Sequence, residues 1–354
     1  MALNIKENVS LKEYSTMRVG GFARYLAIIS TIEELVEALS FAKEKSLPVF
    51  VVGGGSNIIF GDDGYPGLVI ACRIGGFDVL RESDEHIFIK VGAGEVWDDV
   101  VLKTVEMGCS GIEAMSIVPG LVGAAPIHNI GCYGQEASET ILELSAYDIK
   151  EGKTVTFENK DCKFGYRTSR FEKEDKGKYV IVDVTFRLNR TSMKPPFYKD
   201  VEQYFEERGV DGYPPEKVRE AVITIRRRKL PDPKEVPNTG SFFRNVVVSM
   251  KEFDDMVKKV PSLNEAPESW PQPPRWFLPD GKVKIASARL VELAGFSSYE
   301  DEETGMATWP KQNLVLVNKS AKSAADVISF RNKIAKAVKD MFNVELEDEV
   351  EIVK

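Results

Sequence analysis

The sequence predicts an α+β protein built of more than one unit. Three observations carry that prediction. A helical stripe over residues 32–42 feeds a β-branched run at 47–52 that stops on three glycines, the pattern of a small α/β unit. From about 85 to 190 the texture turns to strands, and the chain closes on a long amphipathic helix and a short terminal strand. At 354 residues it is too long for one ordinary core, which suggests two or three units.

The elements follow in order. Ser30 opens the first helix as a capping box with Glu33, and Ile32, Leu35, Val36, Leu39 and Ala42 recur at helical spacing. The strand at 47–52, the glycine loop and a buried strand at 67–71 complete the first part. Strands are expected at 87–91 and 179–187, with a helix near 96–107 ended by Gly108. Between them lies 119–134, dense in Gly, Ala and Pro and nearly free of charge. Such a run either packs against a neighbour or lies along a large apolar ligand, since small side chains permit close approach. Pro214 and Pro215 start a helix running toward Arg226, Arg227, Arg228 and Lys229. An irregular excursion over 261–283, a helix at 286–295 and a strand at 313–318 come next. The last helix spans 321–342, with Val327, Phe330, Ile334, Val338 and Met341 along one stripe, before a terminal strand at 349–353.

Composition narrows the function classes. With 43% hydrophobic and 29% charged residues the chain reads as a soluble globular protein. No secretory leader and no apolar stretch of membrane-spanning length is present, so the expected compartment is the cytoplasm. Cys72, Cys109, Cys132 and Cys162 stand far apart without a C-x-x-C, which predicts reduced thiols rather than disulfides or zinc. The formal charge of −8 argues against nucleic acid or a membrane surface as partner. Arg226 to Lys229 form a local positive focus, suited to a small anionic ligand or simply to a solvated helix end. Only His86 and His128 are present, so histidine-based metal sites and Ser-His-Asp hydrolysis are not expected.

Four motifs remain. In Gly53-Gly54-Gly55-Ser56-Asn57, successive N–H groups can turn toward one anion with two side-chain donors beside them, although a plain tight turn has the same composition. No Lys-Ser/Thr follows and the spacing is not G-x-G-x-x-G, which sets aside the two familiar nucleotide loops. In Lys163–Arg170, Arg167 follows Tyr166 and can be presented rigidly to a carboxylate. In Asn238–Asn245, Ser241 sits between a glycine and two phenylalanines, placed as a general acid rather than a nucleophile. In Leu346–Val350, Glu349 begins the terminal strand after an acidic turn.

Taken together, residues 15–24, 51–60, 117–136, 162–171, 226–245 and 343–350 resemble, in sequence and order, the UDP-N-acetylenolpyruvoylglucosamine reductase family, in its longer form with a tyrosine loop. The resemblance implies a three-domain α+β flavoprotein. Its two-part FAD-binding region would be of the vanillyl-alcohol-oxidase/PCMH type, beside a separate α+β substrate domain. The expected divisions are 1–75, joined by 346–354, then 76–225 and 226–345. Non-covalent FAD would meet Gly53, Gly54, Gly55, Ser56 and Asn57 with its diphosphate. Its ring would lie along Pro119, Gly120, Gly123, Ala124, Asn129, Gly131, Tyr133 and Gly134. The implied reaction is NADPH-dependent reduction of UDP-N-acetylglucosamine enolpyruvate, a step of peptidoglycan precursor synthesis and so of cell-wall growth, shape and division. Arg167 and Glu349 would stabilise the enol and Ser241 would supply the proton. Tyr198, Arg226, Lys229, Asn245 and Asn313 would meet the substrate. No metal, nucleic acid or membrane takes part, and a monomer is expected. The chain departs from the family pattern at Val246, where a proline is usual, and over 262–281 and 308–313. Two alternatives differ in observable ways. An oxygen-using alcohol or sugar oxidase of the same superfamily would need no NADPH, and a nucleotide-sugar binding or regulatory protein would not turn over.

Overall fold

The computed structural model describes residues 3–192, 197, 199–267 and 273–354. The chain divides into two compact units, Met1–Val9 with Ala23–Gly54 and Pro66–Arg228, and Ser10–Phe22 with Gly55–Tyr65 and Lys229–Lys354. The segments up to 75 and from 76 onward contribute to one buried cluster. Ile29, Leu35 and Ile70 belong to the same buried cluster as Ile89, Trp97 and Val184.

In the first unit, a four-stranded sheet runs in the order Ile5–Ser10, Phe22–Ile29, Tyr65–Cys72, Val49–Val52. Its last two strands are parallel, with Val49 opposite Leu68. Helix Ile32–Glu44 buries Leu35, Ala38 and Ala42, the stripe its spacing predicts. Its cap lies one residue later than expected. Thr31 rather than Ser30 accepts the Glu34 N–H, at 3.2 Å. Ser30 instead donates its own N–H to the Glu34 carboxylate at 2.6 Å, so the acid that closes the cap is Glu34. A five-stranded antiparallel sheet follows, in the order Lys153–Glu158, Ile141–Asp148, Tyr179–Asn189, His86–Gly92, Phe77–Glu82. Helices Trp97–Glu106, Lys199–Arg208 and Pro215–Lys229 complete this unit's long elements.

In the second unit, antiparallel strands run Asn238–Ser241, Gln312–Asn318, Met306–Trp309, Glu300–Asp301. The region expected to be irregular carries a second small sheet, Val246–Ser249, Lys282–Ile285 and Arg275–Phe277. Pro273 and Pro274 disguise it in the sequence, because proline argues against a strand, and they are tolerated here because they stand just before an edge strand. Helix Ala324–Phe342 buries Val327, Phe330, Ile334, Val338 and Phe342. Phe342 completes the stripe in place of Met341, since it stands one i+4 step beyond Val338. The terminal strand Glu351–Val353 pairs in parallel with Ile58–Phe60. Among the described residues, no helix is long and apolar enough to cross a membrane.

Candidate active site

The first unit holds the start of the glycine loop, where strand Val49–Val52 runs into Gly53 and Gly54. A Cβ on Gly54 would lie 2.9 Å from the Cα of Gly120, whereas one on Gly53 would meet Leu121 at an ordinary 3.8 Å. Gly54 is therefore packed against the Gly120 backbone, an approach that a side chain at 54 would block. The two glycine segments that the sequence singles out meet here. Gly120 is fixed by the Trp97 N–H donating to its carbonyl at 3.1 Å.

The 117–136 segment spends much of its polar capacity inside the fold. The N–H groups of Val122 and Gly123 donate to the carbonyls of Glu95 and Ala93, at 3.0 and 2.9 Å. Asn129 is 1% exposed. Its Nδ2 donates to Glu136 at 2.9 Å and to the Gly165 carbonyl at 3.0 Å, and its Oδ1 accepts the Ser138 N–H at 3.0 Å. Asn129 is thus a tie between this segment and the 165 turn. The turn in question carries Arg167, whose Nη1 donates to the Asn129 carbonyl at 3.4 Å and whose Nη2 donates to the Gly131 carbonyl. A Cβ on Gly131 would stand 3.0 Å from Arg167 Nη1, so this glycine admits the guanidinium. Tyr166 lies beside it, its ring centroid 5.4 Å from the guanidinium carbon.

Backbone strain concentrates here. Ile117, Asn129, Tyr133 and Arg167 all have positive φ, at 51°, 43°, 50° and 54°. For a β-branched residue such as Ile117 that conformation is costly and persists only where the surroundings impose it. Asp98 does so, accepting the Ile117 N–H at 2.7 Å. The same carboxylate takes a bidentate pair from Arg219 of the basic helix, at 2.5 and 3.0 Å. Burial pushes the Asp98 carboxyl up, yet Arg219 and the Ile117 N–H outweigh it and leave it below the ordinary carboxylate range. Arg226, about two turns further along the same helix, donates to the Ile117 carbonyl at 3.5 Å and lies 3.9 Å from Cys132 Sγ. Burial raises the Cys132 thiol against the opposing pull of Arg226 and Arg167. Arg226 Nε is buried with no hydrogen-bond partner.

The second unit holds the other two residues expected to carry chemistry, Ser241 and Glu349. Ser241 ends the strand Asn238–Ser241, opposite Val315, and Phe242 and Phe243 behind it are buried. The Glu349 N–H donates to the Phe242 carbonyl at 2.8 Å, and the Arg244 N–H to the Glu347 carbonyl at 2.9 Å. The acid is thereby laced to the residue that follows Ser241. Asn57, expected at the cofactor, donates its side-chain amide to the Glu349 carbonyl at 3.0 Å. Thr16 joins Gly55 to this strand, its N–H donating to the Gly55 carbonyl at 3.0 Å and its Oγ1 to the Asn238 carbonyl at 2.6 Å. Thr16 thus holds the end of the glycine loop and the serine strand together.

The remaining expected contacts fall out as follows. Asn245 Oδ1 accepts the Ser287 N–H at 3.1 Å, and Asn313 Nδ2 donates to the Ala288 carbonyl at 2.9 Å. Both asparagines anchor the start of one short helix, and Asn313 keeps a buried Oδ1 with no partner. Lys229 offers its carbonyl to the Trp309 indole at 3.0 Å. Tyr198 lies outside the described residues. Arg167 belongs to the first unit, Ser241 and Glu349 to the second. Sequence reasoning missed Asp98 and Arg219. They stand 121 positions apart, and each reads locally as an ordinary charged helix residue.

Comparison with known proteins places these features. A model of an FAD binding domain matches residues 23–158, and one of the C-terminal domain of UDP-N-acetylenolpyruvoylglucosamine reductase matches 232–353. The UDP-N-acetylenolpyruvoylglucosamine reductase of Burkholderia multivorans is 37% identical over 98% of this chain and 97% of its own length. That of Chromobacterium violaceum is 35% identical over 99% of each, and that of Pseudomonas putida 37% identical over 99% of each. The solved reductase of Thermus caldophilus shares the fold, with a TM-score of 0.66 at 20% identity over 99% of this chain and 100% of that one.

Proposed function

The chain belongs to the UDP-N-acetylenolpyruvoylglucosamine reductase family, whose members are FAD-dependent oxidoreductases, and on that premise we propose that it uses NADPH to reduce UDP-N-acetylglucosamine enolpyruvate to UDP-N-acetylmuramate for peptidoglycan synthesis. The chain is read as a cytoplasmic monomer.

The residues present fit FAD. The close approach of Gly54 to Gly120 brings the two glycine segments against one another, so that both can present backbone to one ligand. Gly53 to Ser56 would hold the diphosphate through backbone N–H groups and the serine hydroxyl, as glycine turns hold anions. Pro119, Gly120, Gly123, Ala124, Gly131, Tyr133 and Gly134 would line the ring, with Asn57 and Asn129 acting one step back through the bonds described above. When bound, FAD supplies the carrier that accepts hydride from NADPH and delivers it to the vinyl CH2 carbon of the substrate.

The adjacent carbon, α to the substrate carboxylate, then carries developing negative charge, and relieving that charge is the task of the protein. Arg167 is held by the Asn129 and Gly131 carbonyls, so its charge meets the substrate with little reorganisation. A preorganised donor of this kind is worth about 3–4 kcal/mol in the transition state. Glu349 brackets the same carboxylate from its place beside Phe242. Ser241 gives its proton to the α carbon. A serine hydroxyl is a weak acid, and Lys229 and Arg244, in the same unit, are the cations suited to offset its alkoxide. Arg226 and Lys229 serve the phosphates of substrate and NADPH.

The observation that carries this reading is the lacing of Glu349 to Phe242, which joins the acid to the strand end bearing Ser241. Purified protein should be yellow and be bleached anaerobically by NADPH, and the enolpyruvyl substrate should restore the colour. Ser241→Ala should keep the first step and lose the second. Colourless protein, or reoxidation by oxygen alone, would overturn the reading.

A further inference from the structure

One arginine outside the family motifs grips the segment that presents Glu349. Arg331 lies on helix Ala324–Phe342. Its Nε donates to Asp348 Oδ1 at 2.8 Å and its Nη2 to the Leu346 carbonyl at 3.3 Å. Nη1 donates to the neighbouring Asn332 side chain at 3.1 Å. The guanidinium carbon stands 5.6 Å from the ring centroid of Phe243. It therefore holds the turn on both sides of residue 347 while resting against an aromatic of the strand end that carries Ser241.

The backbone completes the frame. Phe243 and Asp348 form an antiparallel bridge, flanked by the Arg244–Glu347 and Glu349–Phe242 bonds at 2.9 and 2.8 Å. Three consecutive residues of the acidic turn are matched to three consecutive residues after Ser241. Such a short ladder carries few bonds of its own, and two-stranded pairing is marginal in isolation. Asp348 and Arg331 are each 22% exposed at the side chain. A pair so shielded is screened less by salt and solvent than a surface pair.

We propose that Arg331 and Asp348 are positioning residues: their ion pair fixes the backbone that aims Glu349, and through Phe243 the strand end of Ser241, for the protonation half of the reaction. The proposal rests on the reading of Glu349 and Ser241 given above. Neither Arg331 nor Asp348 needs to touch the substrate. A misplacement of 1 Å far from the chemistry can slow a step by about a hundredfold.

The test uses the full-length holoenzyme and follows the two half-reactions separately by stopped-flow absorbance. Arg331→Ala and Asp348→Ala should each slow flavin reoxidation by the enolpyruvyl substrate about ten- to a hundredfold while NADPH reduction stays within about twofold, the signature of lost positioning. The double variant should be no slower than the slower single one, because both remove one shared interaction. Asp348→Asn, which keeps an acceptor for Nε, should recover part of the rate. Should Arg331→Ala fail to fold, Asp348→Ala and Arg331→Lys carry the test. Equal slowing of both half-reactions together with a lowered melting temperature would overturn the proposal in favour of a merely structural pair. Glu349→Gln separates the two ideas. If it loses reoxidation while Arg331→Ala and Asp348→Ala do not, the positioning proposal fails and the assignment of Glu349 stands. If Glu349→Gln reoxidises normally, the assignment itself fails.

Discussion

Asn57 donates its side-chain amide to the carbonyl of Glu349 at 3.0 Å, and its own carbonyl accepts the Glu351 N–H at 3.0 Å. The last residue of the glycine motif is thus bonded on both sides of the residue next to Glu349, across 292 positions. Asn57→Ala removes a part-buried donor and leaves a carbonyl unsatisfied, which costs about 1–3 kcal/mol. We expect a lowered urea midpoint with an unchanged m-value, and a slower reoxidation half-reaction from the loosened Glu349. An unaltered midpoint would show that water replaces the amide without loss.

Gly53 and Gly54 should respond unequally to the same substitution. Gly54→Ala drives a methyl to 2.9 Å from the Gly120 Cα, with backbone on both sides, whereas Gly53→Ala makes an ordinary 3.8 Å contact with Leu121. Overpacking of the first kind costs about 1–3 kcal/mol. Gly54→Ala should lower the melting temperature of the flavin-free protein and release FAD on dilution. Gly53→Ala should melt within a degree or two of the parent. Equal melting of the two variants would refute the backbone contact.

These cases show how the sequence carried part of the site and hid the rest. Periodicity located the helix at 32–44 and the stripe on 324–342 because burial of one helix face is a local signal. Composition likewise located both glycine segments, and their contact at Gly54 and Gly120 is what two small-residue runs permit. Nothing local told that Asn57 and Asn129 turn their side chains into the fold, because an asparagine carries the same donors whether they face ligand or backbone. The sheet at 275–285 was hidden by its prolines. Arg331 and Asp348 read as surface charges until helix and turn are placed side by side.

Cys162 offers a chemical probe of the first unit. It is fully buried, and its Sγ donates to the Glu158 carbonyl at 3.4 Å. Burial pushes its thiol up to about 12, against the weaker opposing charge of Arg170. With so few thiolates at about pH 8, roughly one molecule in ten thousand is reactive, since only the thiolate is nucleophilic. Iodoacetamide should leave the Cys162 peptide unmodified in native protein and alkylate it readily in denaturant, as followed by mass spectrometry. Native labelling at the rate of a free thiol would contradict the buried environment.

Asp98 links stability to pH in a direction that can be worked out. Its folded carboxyl lies below the ordinary range, because Arg219 and the Ile117 N–H outweigh the desolvation that pushes it up. A group depressed in the folded state adds stability above its unfolded pKa of about 3.9, and that contribution fades as pH falls through the folded value. Arg219 is 9% exposed, so Asp98→Asn leaves a nearly buried cation without its counter-charge. Breaking a buried pair costs about 3–5 kcal/mol, and the partial exposure of Asp98 reduces this to about 2–3 kcal/mol. Urea unfolding at about pH 7 should show that full difference between parent and variant, and the difference should shrink as the pH falls below about 3.9, where the unfolded parent takes up a proton that its folded form still resists. The Ile117 peptide, held at positive φ by the same carboxylate, relaxes with the pair. The flavin absorbance of the variant should therefore shift even at neutral pH. A difference independent of pH would mean that the amide reproduces the carboxylate's hydrogen bonds and that charge contributes nothing there.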